Sequence, residues 1–276
     1  MKVLIKGFLL VFILSAFTST HVNNTKFTAL TDDSFCGLKN TAFKEGESVT
    51  MRIFYSAAGV YISAGEAVFT TSLERFNGKQ TYHCVGEGRS FPFFDKFFKV
   101  RDRYESYIDT TTMLPVKFIR NVDEDGYKIY NNVTFNHGAG TAVSTNGVFK
   151  TTSCIQDVIS SVYYARNINF EKYKVNDKIP FDMFIDDEVH HLYLRYMGKE
   201  TIKTKYGKFK AIKFKPLLIK GNTFSDGGEK MSAWVSDDPN HLLLRIESPI
   251  SVGSIKIDMY GYKNLRYPLS SLISVR

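Results

Sequence analysis

The chain is poor in the residues that usually announce chemistry or anchorage. It has one Trp, three Cys and seven Pro among 276 residues. Cys36, Cys84 and Cys154 include no C-x-x-C pair, so the usual redox and zinc spacings are missing. There is no G-x-S-x-G elbow, no H-E-x-x-H helix and no P-loop. Gly86-Glu87-Gly88-Arg89 carries a Gly-x-Gly, but no helix follows it in a βα setting, which excludes a nucleotide cradle. Scarce proline leaves room for long strand ladders. The longest early apolar run, Gly7 to Phe17, falls short of the about 20 residues that a bilayer span requires.

That run follows Met1-Lys2 and Lys6, the charged n-region and short h-region of a secretory signal, with cleavage expected near Thr20. No Cys stands directly behind it. The nearest, Cys36, sits after the polar Asp32-Asp33-Ser34-Phe35, so a soluble periplasmic protein rather than a lipoprotein is expected, without a transmembrane segment in the mature chain. The expected organisation is a signal at 1–20, a polar leader at 21–42, one β-rich domain at 43–266 and a tail at 267–276. The net charge is +8, of which Lys2 and Lys6 supply two. Such a protein is drawn to anionic head groups or polysaccharide by its field. No dense Lys/Arg block or RNP-like motif is present, so nucleic acid is not an expected partner.

What is abundant is aromatic: 23 Phe and 16 Tyr, a composition that suits half-buried strands. Polar and apolar residues alternate from Glu47 to Ser72 around Ala57-Ala58-Gly59, a long hairpin, and Thr81 to Gly86 continues as a third strand. Strand patterns recur at 101–109, 116–123 and 127–135, with Glu124-Asp125-Gly126 as a hairpin turn. Ile155, Val158, Ile159 and Val162 have helical spacing, and Ser153 with Gln156 offers a capping box. From Lys178 strands return, with turns at Asp186-Asp187, Gly198, Tyr206-Gly207 and Ser225 to Gly228; Ile255, Ile257 and Met259 alternate with Lys256, Asp258 and Tyr260. Strands joined directly to strands argue against a parallel α/β sheet. The fold class is therefore mainly β: a long, strongly curved antiparallel sheet or incomplete barrel. Two strand groups, about 47–146 and 178–263, flank a central amphipathic helix at about 154–166, and a short aromatic helix lies at about 91–98.

Candidate site residues are few. Phe91, Phe94, Phe97 and Phe98 make a stripe at helical spacing that is expected to pack on the sheet, the sharper alternative being an exposed patch that engages lipid. Arg101 and Arg103 share one face of a strand with Asp102 on the other. Glu188 and His190 share a face beside a turn, too few donors for a metal site. The Lys residues at 208, 210, 213 and 215 read as a solvated strand face. The three cysteines allow one disulfide and one free thiol, with three ways to pair.

Several stretches together resemble one family. They are Phe43-x-x-Gly46-Glu47, Ala64-Gly65-Glu66, Asp157-x-x-Ser160-x-x-Tyr163-x-x-Arg166, Gly207-Lys208-Phe209, Trp234-x-Ser236-Asp237-Asp238 and Val252-Gly253-Ser254. The chain is similar to DUF3108 proteins, exported bacterial proteins of unknown function, of the Bacteroidetes type. The resemblance implies an envelope β protein with no catalytic residues to carry over, and it favours Cys36 pairing with Cys154, leaving Cys84 free. It gives Asp157 and Arg166 roles in tying the helix to the sheet, and Trp234 a role as a buried strand anchor. The resulting expectation is a noncatalytic binding or structural protein without a cofactor or metal, its ligand apolar, lipid-like or an anionic envelope component. Candidate ligand-binding residues are Phe91, Phe94, Phe97, Phe98, Arg101, Asp157, Arg166 and Trp234. The alternative is a periplasmic hydrolase acting on envelope glycan or lipid, which would require at least two of Asp157, Asp237, Asp238, Arg101 and His190 to converge.

Overall fold

Val49, Met51 and Ile53 point inward while Ser48, Thr50 and Arg52 alternate with them, and that period of two makes the first strand, β1 (Ser48–Ala57). The same pattern gives β2 (Val60–Phe76), β3 (Lys79–Ser90), β4 (Val100–Asp109), β5 (Pro115–Glu124) and β6 (Tyr127–Asn136). A small hairpin follows, β7 (Thr141–Ser144) and β8 (Gly147–Lys150). The second half holds β9 (Lys178–Ile185), β10 (Glu188–Lys203), β11 (Gly207–Pro216), β12 (Ser232–Ser236), β13 (Leu243–Pro249), β14 (Ser254–Lys263) and β15 (Leu272–Val275). Among the described residues two α-helices, α1 (Pro92–Asp95) and α2 (Val158–Ala165), interrupt the strands. This computed structural model describes residues 36–57, 60–219, 228–250 and 253–276; the expected signal, residues 21–35 of the leader and most of the Ser225–Gly228 turn lie outside the described residues.

All the strands join one 15-stranded sheet in the order β8-β7-β6-β5-β4-β3-β2-β1-β14-β13-β12-β11-β10-β9, with β15 added beside β11. Every pairing between these strands is antiparallel. The sheet curls until its ends meet through side chains. Phe184 on β9 packs 6.0 Å from Phe135 and Phe149, and Asn146 donates to Asp187 at 2.6 Å. The ends do not close as a ladder. Instead the extended residues ahead of α2 run along β9, where Gln156 bonds Asp182 and Phe184 at 2.9 and 2.8 Å. This covers an edge that would otherwise expose unpaired backbone.

Helix α2 lies in the curl against β3, β4 and β9. Its Val158, Ile159, Tyr163 and Tyr164 join Tyr104, Ile108, Phe118, Met183, Phe184 and Phe214 in one core. A second core gathers Val49, Met51, Ile53, Phe209, Trp234, Leu244, Ile255, Ile257 and Met259. The concave face around the helix is thus packed with side chains.

Several local expectations shift. The aromatic helix is only Pro92–Asp95, because Pro92 opens a single turn that the chain leaves at Lys96. The helix expected from 154 begins at Val158, and its capping box is Asp157 with Ser160, not Ser153 with Gln156. The pairing of Gln156 with β9 holds the earlier residues extended. Gly198, read as a turn, is a left-handed bulge (φ +90°) within continuous β10. Residues 272–275, placed in the tail, form β15.

Candidate functional site

The sequence-derived candidates fall into three separate places. The first is the corner around α1. Phe94 and Phe98 pack against the second core, but Phe97 is 59% exposed beside Phe93 at 60%, the two rings 5.5 Å apart. The expectation that the whole stripe packs inward therefore fails at Phe97, because a one-turn helix cannot carry four aromatic rings on one buried face. Phe91 lies under the Arg52 guanidinium at 4.8 Å. Arg101 closes the corner through Asp95 at 2.7 Å, which holds the Asp95 carboxyl below its usual range.

The second place is the two ends of α2. Asp157 accepts from Ile159 and Ser160 backbone N–H groups at 2.8 Å and from the Ser106 hydroxyl at 2.6 Å. Burial pushes its carboxyl up to about 7 against those hydrogen bonds. At the other end Arg166 donates both terminal nitrogens to Glu47 and its Nε to the Asn240 carbonyl at 2.9 Å. Phe43 and Tyr163 flank the guanidinium, and Thr71 donates to the Tyr163 hydroxyl at 3.1 Å. Cys84 lies in the same region, its thiol raised well above the ordinary range by burial, which keeps it from acting as a thiolate. Cys36 and Cys154 are joined by a disulfide with Cα atoms 5.5 Å apart.

The third place is Trp234, buried in the second core, its indole N–H donated to Glu200 and its ring 5.0 Å from the Lys213 ammonium.

The hydrolase candidates each serve different partners. Asp238 is a turn staple that accepts from Ser236, Asn240 and Ser271, while Asp237 pairs with Lys199 at 3.0 Å. His190 stands 4.0 Å from Glu188, and burial lowers its pKa. Among the described residues no group of three or more His, Cys, Asp or Glu side chains is arranged to hold a metal ion.

Two further constellations were not read from the sequence. On the inner face, Arg120 donates to Asn131 and Asp186, and the buried carboxyls of Asp102 and Glu124 lie nearby with Asp102 Oδ2, Glu124 Oε1 and Arg120 Nη1 unbonded. Burial raises both carboxyls, and the Asp102 charge raises Glu124 further, so a proton held on the pair supplies the missing donor. On the outer face, Lys203, Thr204, Lys205, Arg245, Lys256, Asp258 and Arg276 line a cavity of about 220 Å³. Only the alternation of Lys256 and Asp258 signalled this outer face in the sequence.

A family model described as "Protein of unknown function (DUF3108)" matches residues 48–260. The chain belongs to the DUF3108 family. Membership brings no reaction or ligand with it. Among solved structures, a β-barrel-like protein of the DUF1849 domain of unknown function from Brucella abortus aligns at 9% identity with a TM-score of 0.51, covering 82% of this chain and all (100%) of that one. That likeness is one of fold alone. A Bacteroides fragilis protein with a YmcC-like fold aligns at 10% identity and a TM-score of 0.32, covering 83% of this chain and 100% of that one. No curated protein matches the chain. No helix among the described residues of this DUF3108 protein is long and apolar enough to cross a membrane.

Proposed function

We propose that this DUF3108 protein is an exported, noncatalytic binding protein of the cell envelope that meets its ligand on its outer surface. The supporting observation is the way α2 is locked into the curl. Asp157, Arg166, Tyr163 and Tyr164 are buried and bonded, so these groups hold the scaffold together. An acyl chain in the concave interior is disfavoured for the same reason. What the outer surface offers is positive charge around the cavity at Arg245 and exposed aromatic rings at Phe93 and Phe97. The export reading rests on the charged and apolar pattern of residues 1–20.

Native mass spectrometry of protein recovered from its own envelope tests the reading. The expected result is a bound component of defined mass, with envelope lipid and glycan extracts unchanged after incubation. Release of fatty acid or sugar fragments from those extracts, abolished by Asp157→Asn or Asp238→Asn in a folded protein, would replace it with the hydrolase.

A further inference from the structure

The cavity on the outer face is built by three converging pieces of chain. The β10–β11 turn is fixed by Thr204, whose hydroxyl accepts from the N–H groups of Tyr206 and Gly207 at 3.1 and 3.2 Å and whose N–H reaches the Gly207 carbonyl at 2.8 Å. That turn sets Lys203 and Lys205 on the rim. Strand β15 pairs with β11 so closely that a Cβ on Gly207 would stand 2.4 Å from the Ser274 carbonyl oxygen, and the Arg276 N–H then bonds Tyr206 at 3.1 Å, bringing Arg276 to the same rim. The floor is Arg245, which grips Asp258 through Nε at 2.6 Å and Nη2 at 2.9 Å and also reaches the Lys203 carbonyl at 2.8 Å. Lys256, two residues before Asp258 on β14, completes the wall. Its neighbours Ile255 and Ile257 point the other way into the second core, so the cavity opens away from the packed interior.

The lining has five cationic side chains against one carboxylate, and that carboxylate is already held by Arg245. Lys256 shares Glu247 at 3.2 Å, whereas among the described residues the side-chain nitrogens of Lys203, Lys205 and Arg276 have no ion-pair partner, Lys205 reaching Asp258 only through its backbone N–H at 3.3 Å. Lysine and arginine converging in this way suit an anion with several acceptor oxygens. At about 220 Å³ the space is smaller than the roughly 300–1,000 Å³ of pockets that enclose a whole small molecule, so it suits a charged head group. Aromatic rings flank it, Tyr61 at 5.5 Å from the Lys256 ammonium and Phe54 at 5.9 Å from that of Lys205. We propose that this cavity binds the phosphate group of a phosphorylated envelope component, either a phospholipid head group or a soluble phosphate ester. The assignment rests on the binding-protein reading above and names the chemistry of its ligand.

The test is calorimetric titration of the mature chain with glycerol phosphate at low salt, alongside flotation with phosphatidylglycerol vesicles. The variant Lys203→Gln/Arg276→Gln removes two rim charges that have no ion-pair partner among the described residues, so its thermal midpoint without ligand should match the parent. It should raise the Kd for glycerol phosphate at least tenfold, while Lys150→Gln/Lys263→Gln, which removes the same charge from β8 and the far end of β14, should leave Kd within twofold. Flotation that glycerol phosphate competes away and the rim variant abolishes supports a lipid head group; tight glycerol phosphate binding without flotation supports a soluble ester. Equal losses in the rim and control variants, or no heat at millimolar glycerol phosphate, overturn the phosphate site. The two readings fail separately: an envelope-derived mass that persists on the rim variant leaves the binding protein standing and removes this cavity from it. A protein that carries no envelope component in parent or variant removes both.

Discussion

Two buried arginine–carboxylate pairs sit in the protein with the same chemistry and opposite surroundings. Arg166 and Glu47, with side chains 7% and 1% exposed, close the end of α2, and every guanidinium nitrogen is bonded to Glu47 or to a backbone carbonyl. Arg245 and Asp258, 10% and 1% exposed, form the floor of a cavity whose rim cations Lys203, Lys205 and Arg276 have no ion-pair partner among the described residues. Burial of an ion pair is thus no guide to its role. What separates the two is the charge left over: around Arg166 the account is closed by Phe43, Tyr163 and Glu47, whereas around Arg245 positive charge remains in excess. The first pair fixes the scaffold and the second sits where a ligand's charge is still wanted.

The sharpest way to break this comparison is to strip each arginine of its partner. Glu47→Ala leaves Arg166 buried and unpaired, and urea unfolding at pH 7 should show a loss of about 3–5 kcal/mol. Asp258→Ala should cost less, about 1–3 kcal/mol, because Arg245 borders an open cavity. Millimolar glycerol phosphate should recover part of the second loss and none of the first. Equal recovery in both, or in neither, would remove the distinction. Next in size is the Cys36–Cys154 disulfide, which ties the chain just before β1 to the chain just before α2 across 118 residues. Cys36→Ser/Cys154→Ser should lower stability by about 2–4 kcal/mol, read as a drop in Tm that reductant reproduces in the parent.

The inner face also answers pH. Asp102 and Glu124, buried on the inner face, have carboxyls raised above the ordinary range by desolvation. In the folded state they keep protons that the unfolded chain has already released, so their contribution is fully present near pH 4 and is lost as pH rises toward about 8. Asp157 acts in the same direction up to about 7. The unfolding free energy should fall over that window, and Asp102→Asn/Glu124→Gln should flatten the fall to what Asp157 leaves. Stability that instead rises from pH 4 to 8 in the parent, unchanged in the double variant, would show that the two carboxyls ionise freely inside.

The strands were legible because each reads locally: inward Ile255, Ile257 and Met259 against outward Lys256 and Asp258 need only a period of two. The central helix was legible for the same reason, through Ile155, Val158, Ile159 and Val162. Its start was not, because Ser153-x-x-Gln156 and Asp157-x-x-Ser160 are both plausible caps on paper, and only the pairing of Gln156 with β9, contributed by residues more than twenty positions away, selects the second. The outer cavity was illegible for a related reason. Its residues come from the end of β10, from β13, from β14 and from beyond β15, and they meet only once the register of Arg245 opposite Asp258 and of Gly207 opposite Val275 is known. Strand alternation alone turns Asp102 away from Arg101 and Arg103, yet the partner that makes it matter, Glu124, lies on the next strand, where Glu124-Asp125-Gly126 reads as a turn.

The smallest expected effect concerns Phe93 and Phe97, and it separates a surface that holds the fold from one that does not. Their rings touch each other and lie mostly in solvent, while Phe94 and Phe98 beside them carry the packing. Phe93→Ser/Phe97→Ser should therefore change stability by no more than about 0.5 kcal/mol in urea unfolding, the range of ordinary surface substitutions. Phe98→Ser, which removes a buried ring, should cost about 3 kcal/mol or more. If the exposed pair proved as costly as Phe98, these rings would be part of the scaffold, and the outer face would offer charge alone. If the double variant is stable but floats less well with phosphatidylglycerol vesicles, exposed aromatic surface and cationic cavity act on the same ligand, since aromatic side chains favour the boundary between head groups and hydrocarbon.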